Sequence, residues 1–122
     1  MTNEVLKETF KNRFTNLIQT DPTVVTLKIP AVGGIKNNVR LETLDCLVSG
    51  ISDQFIANSP VLGLNSESIL IKFLIDELNE LPAKNLKKNN VILQVNNIDY
   101  TIMKDELRNF GVVYHCYCNR YQ

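Results

Sequence analysis

No apolar run in these 122 residues approaches the ~18 that a membrane-spanning helix requires, so no helical span and no membrane partner are expected. The chain has one histidine, His115, and three cysteines, Cys46, Cys116 and Cys118. An odd, sparse set of cysteines is not a secreted disulfide framework, and free thiols in a reducing compartment fit better. Cys116 and Cys118 are one residue apart, so on a strand they face one side and His115 the other. Zinc sites use wider Cys spacing and a second ligand pair, and no second pair exists here, so no metal is expected. Exchange of both thiols for serine is accordingly expected to be nearly neutral for stability. There is no Gly-x-Ser-x-Gly elbow, no phosphate-cradling glycine loop and no His-Glu-x-x-His. No cofactor and no enzyme activity are expected. Net charge is zero, with 13 basic and 13 acidic residues, whereas dedicated nucleic-acid binders usually carry a basic excess.

What is present begins with a hairpin. Val91, Leu93 and Val95 alternate onto one face of an extended strand, and Ile98, Tyr100 and Ile102 do the same on the way back. Asn96-Asn97 joins them, and asparagine tolerates the positive φ that a type I′ turn demands at both central positions. Val112–Cys118 reads as a further strand after a short charged loop containing Asp105-Glu106. Two short strands around a tight turn, a loop and a closing strand are the pattern of a mainly β protein, a small β-barrel or sandwich.

Upstream, Leu6, Phe10, Phe14, Leu17 and Ile18 recur at helical spacing and predict an N-terminal amphipathic helix over 4–19. Its charges, Glu4, Lys7, Glu8, Lys11 and Arg13, leave no room for a signal-peptide core, so a soluble protein made in a cytoplasm is expected. The stripe is expected to dock on the chain's own barrel, the alternative being a partner site. Asp21-Pro22 stops the helix. Residues 23–120 then form the barrel, within one domain spanning 1–122. Thr23–Ile29 is a β-branched strand. Val39–Ile51 is a second, with Leu41 alternating with Arg40 and Glu42, and with Gly50 suggesting a bulge or a close backbone approach. Ile69–Ile75 fits a strand or the start of a helix equally well.

Residues 52–68 form a long loop between the second and third strands. It carries Phe55, Ile56, Val61, Leu62 and Leu64, either to pack on another subunit or to fold back over the barrel. Charge is unevenly spread. Residues 41–80 hold seven acids against Lys72, while each flank carries a basic excess. Such a distribution suits contacts between copies, or simply solvated faces.

The order of these elements resembles that of the lambda-type head–tail joining or head-closure proteins of tailed bacteriophages. Leu86-Lys87-Lys88-Asn89-Asn90 stands at the family's Leu-basic-basic-Gly-Asp hairpin entry, with Asn89-Asn90 in place of Gly-Asp. Asn96-Asn97-Ile98-Asp99-Tyr100-Thr101-Ile102 occupies the turn and second strand. The resemblance implies a structural virion protein made in a bacterial cytoplasm and built into the neck of the particle. It implies a homo-oligomeric ring that joins the portal or adaptor side of the capsid to tail proteins and retains packaged DNA. It also favours the strand reading of Ile69–Ile75. Within such a ring, Glu67, Asp76, Glu77 and Glu80 are candidates to face a channel and repel passing double-stranded DNA without sequence specificity. The alternative is that they pair with Lys84, Lys87 and Lys88. Competing readings are a tail-completion or tail-terminator protein, and a small barrel binding nucleic acid or protein through Tyr114, Tyr117 and Tyr121 near Arg120.

Replacing Asn96-Asn97 by Pro-Pro removes positive φ and two amide donors, and is expected to abolish soluble expression. A folded variant with an unchanged circular dichroism spectrum contradicts the hairpin.

Overall fold

The computed structural model describes residues 3–29, 40–58, 63–77, 86–88, 90–108 and 111–121. These form α1 (Asn3–Thr20), β1 (Thr23–Ile29), β2 (Arg40–Gly50), α2 (Asp53–Asn58), β3 (Ile69–Leu74), a 3-10 turn (Ile75–Glu77), β4 (Ile92–Val95), β5 (Ile98–Arg108) and β6 (Val113–Arg120). The strands close into an antiparallel barrel in the order β1-β2-β3-β6-β5-β4. Closure rests on β4, the shortest strand. It pairs with β5 from Ile92↔Thr101 to Val95↔Ile98, and with β1 only at Thr26↔Gln94, Leu27↔Leu93 and Lys28↔Ile92. Asn96 and Asn97 have φ of 51° and 65°, the left-handed values the turn requires.

Alternation fills the interior. Val25 and Leu27, Leu44 and Cys46, Ile71 and Phe73, Leu93, Ile102, and Tyr114, Cys116 and Cys118 all point inward and are buried. Leu86 joins them from the hairpin entry while Lys87 and Lys88 stay exposed. The entry is a turn closed by the Val91 amide donating to the Leu86 carbonyl at 3.1 Å. Outside the barrel, Phe14 and Ile18 of α1 bury against Leu47, Leu74, Val112 and Val113. Leu17 falls off that face.

One open reading is settled, in favour of the strand, and two expectations are corrected. Ile69–Ile75 is strand through Leu74, because β3 pairs on both sides, with β2 and with β6. The span 52–68 contains α2, capped by the Ser52 hydroxyl accepting the Phe55 amide at 3.1 Å. Gly50 is neither a bulge nor a close approach. It pairs regularly with Ile69, and a Cβ there would meet nothing within 4 Å. In β2 the phase is set by Leu44 and Cys46, so Leu41 points outward.

The bulge lies instead between Ile102 and Lys104 of β5. The chain read as a charged loop after Ile102 is strand as far as Arg108. The extra residue, Met103, shifts the alternation by one. Without it Lys104, Glu106 and Arg108 would point into the core, and with it they point out. Asp105 then faces inward, where the Tyr114 hydroxyl donates to its carboxylate. Burial and that hydrogen bond push the Tyr114 pKa up.

Burial also raises the pKa of all three thiols, that of Cys118 to about 12. Cys116 and Cys118 are fully buried, with Asp105 paired beside Cys116 and the Cys118 thiol donating weakly to the Cys116 carbonyl at 3.6 Å, so serine there would place the more polar hydroxyl where water cannot reach. The expectation of a neutral exchange is therefore corrected. Each of Cys116→Ser and Cys118→Ser is expected to cost about 1–3 kcal/mol in urea denaturation. An unchanged midpoint contradicts this packing.

Candidate interaction surface

The strand order sets β1 and β6 on opposite sides of the barrel, three positions apart in either direction. The outward residues of each side form a grid fixed by register. On the β2-β1-β4 side one row is Leu41, Lys28 and Ile92, the next Thr43, Thr26 and Gln94, and the third Asp45 and Val24. On the β3-β6-β5 side the rows are Leu70, Tyr117 and Lys104, then Lys72, His115 and Glu106, then Leu74, Val113 and Arg108.

The second side is partly covered. α1 lies over Leu74 and Val113. α2 buries none of its residues fully and rests on Tyr117 through Phe55, the rings stacked at 5.4 Å and 6°. A stack of this kind is worth about 0.5–1.5 kcal/mol beyond area burial. The far end of the same span is tied down more firmly. The Asn65 amide donates to the Ser68 hydroxyl at 2.8 Å, and Ser68 donates to the Asn119 side chain. The Asn119 amide nitrogen in turn donates to the Gly63 carbonyl at 2.6 Å. Gly63 has φ of 89°, and a Cβ there would stand 3.0 Å from the Met103 methyl, so both its conformation and its space favour glycine.

Of the candidate interface residues, Phe55 is 38% exposed beside Tyr117, and Ile56 and Leu64 are half-buried. Val61 and Leu62 lie outside the described residues. The candidate acids are not brought together. Glu67 precedes β3, and Asp76 and Glu77 follow it, so six strand residues, about 20 Å, separate them. Glu67 borders a cleft of about 320 Å³ with Asn65, Thr101, Met103, Asn119 and Arg120. Asp76 borders one of about 240 Å³ under the first turns of α1. It pairs with Lys11 at 2.8 Å, and that contact raises the Lys11 pKa. Glu80 and Lys84 lie outside the described residues.

Sequence reasoning missed the network on β5 and β6. It placed Asp105-Glu106 in a solvated loop. In the structure Glu106 accepts from Arg108 at 2.7 Å and from the Tyr117 hydroxyl at 3.1 Å. Burial alone would push the Glu106 pKa up, but these hydrogen bonds with the charges of Arg108 and Lys104 hold it below the ordinary range. The period-two spacing of Lys104, Glu106 and Arg108 was the available signal. The tyrosines proposed as a stacking platform are not one. Tyr114 is inside the barrel, Tyr117 is under α2, and Tyr121 remains exposed. Among the described residues no group of three or more His, Cys, Asp and Glu could hold a metal ion. No protein-family model and no curated protein matches the chain.

His115 sits mid-face, half-buried. Burial first, then the charges of Lys72 and Arg108, lower its pKa from 6.5 to about 4, against a smaller opposing pull from Glu106. The unfolded chain thus takes up a proton at a higher pH than the folded one. The stabilising contribution is complete above pH 6.5 and is lost as pH falls toward 4. Relative to His115→Gln, the wild type is expected to lose about 1–3 kcal/mol over that interval, part exposure reducing the full linkage value. Parallel stability curves for the two proteins contradict the placement of His115.

Proposed function

We propose that this chain is a structural virion protein, a ring-forming head–tail connector of a tailed bacteriophage. It sits between the portal or adaptor side of the capsid and the tail proteins and retains packaged DNA. The observation that carries this reading is architectural. A closed antiparallel barrel has an N-terminal helix docked on its outer wall and a long β2–β3 excursion laid beside it, in the element order of the head-closure proteins. Fold alone does not fix function, so the reading rests on that order together with surfaces suited to assembly.

The acids acquire a definite geometry in this reading. Where the ends of β3 border a lumen, beyond α1 and the contact between copies, Glu67 stands near one end and the Asp76-Glu77 pair near the other. Two carboxylate tiers repel phosphate at entry and exit and let a duplex slide rather than bind. Lys11 already neutralises Asp76, which leaves Glu67 and Glu77 as the stronger contributors.

Negative-stain electron microscopy of the purified chain tests the reading. Closed rings with a central lumen are expected. A population that remains monomeric at every concentration contradicts it. Rings found capping isolated tail tubes rather than heads would move the protein to tail completion.

A further inference from the structure

We infer that copies of this chain associate head to tail, the β2-β1-β4 face of one packing on the β3-β6-β5 face of the next. This rests on the ring reading and names the two surfaces that build the ring.

The two faces are opposite and chemically unlike. The β2-β1-β4 face is covered by no described helix, since α1 packs on β2 and β3 near Leu47 and Leu74, and α2 rests on β6. It carries Leu41 at 63% and Val24 at 58% exposure, with half-buried Ile92 and the methyl-bearing Thr26 and Thr43. Its charges are few. Lys28 and Asp99 neutralise each other at 3.0 Å, leaving Asp45, exposed and in no ion pair among the described residues. Free charge is depleted and apolar strand residues are exposed, as in the core of an interface patch.

The β3-β6-β5 face is cationic. Among its outward strand residues Glu106 is the single carboxylate, paired with Lys104 and Arg108, while Lys72, across His115 from it, makes no ion pair among the described residues. Burial lowers the His115 pKa first, and the charges of Lys72 and Arg108 add to that effect. Next to this charge the exposed edge of Phe55 offers apolar surface for Val24 and Leu41.

Charge complementarity selects the pairing. A twofold contact of either face with itself gathers two copies of Asp45, or two of Lys72, into one patch with no opposite free charge between them, whereas the unlike pairing brings Asp45 toward Lys72. Unlike patches on two sides of one subunit form a heterologous contact, which repeats around a ring where its successive rotations close.

Two outward substitutions test this, each expected to leave the fold intact because neither side chain enters the core. Leu41→Arg disables the first face, and Lys72→Glu the second. If Lys72→Glu fails to fold by circular dichroism, Lys104→Glu takes its place. In native mass spectrometry each variant alone is expected to be monomeric. Mixed, they should stop at a 1:1 heterodimer, since the pair retains one intact face of each kind. A mixture that stays monomeric, or a variant that still forms rings alone, overturns the assignment of faces and leaves the ring reading standing. A wild-type chain that forms no ring overturns both. Retention of dimers by one variant alone assigns a twofold contact and overturns the head-to-tail arrangement.

Discussion

A sheet has two edges, and in this protein a four-residue strand removes both. β4 joins β5 through the Asn96-Asn97 turn and meets β1 over three residue pairs. Everything else follows from that seam. The turn sets the β4–β5 register, the register sends Leu93 and Val95 inward, and closure leaves no exposed strand edge along the paired length. Leu86, held by the turn that leads into β4, fills the interior beside it. The barrel wall then provides the outer surfaces on which α1 and α2 dock.

How much of this was legible depended on whether the information was local. The hairpin was, because alternation and the two asparagines lie within twelve residues. The α1 stripe was too, since Phe14 and Ile18 repeat at helical spacing and do bury. Ile69–Ile75 was not, because its residues satisfy both periods and only pairing with β2 and β6 decides between them. β5 past Ile102 was misread for a related reason. One bulged residue breaks period two, so Lys104 to Arg108 look like a charged loop unless the phase is restarted at Met103. Leu41 shows the same limit. Its alternation was right, but Leu44 and Cys46 determine which phase faces in. The candidate acids looked like one group because they flank one strand, and the length of that strand is what separates them.

Two polar networks lie on the outer wall: Glu106 with Arg108 and Tyr117 ties β5 to β6, and Asn119 with Ser68 and Gly63 holds residues 63–68 against the barrel. Phe55 contributes a single stack at the other end of the 52–68 span, so α2 is the more weakly held part of it. A surface with one firmly tied and one lightly tied segment can adapt to a neighbour at little cost while the barrel stays rigid.

The account stands or falls on where the protein resides. On the proposed reading the genome that encodes the chain yields tailed particles, and immunogold labelling of those particles with an antibody to the purified chain measures this directly. The account predicts gold at the neck, between head and tail. Particles without gold, or gold confined to the distal tail, would contradict it.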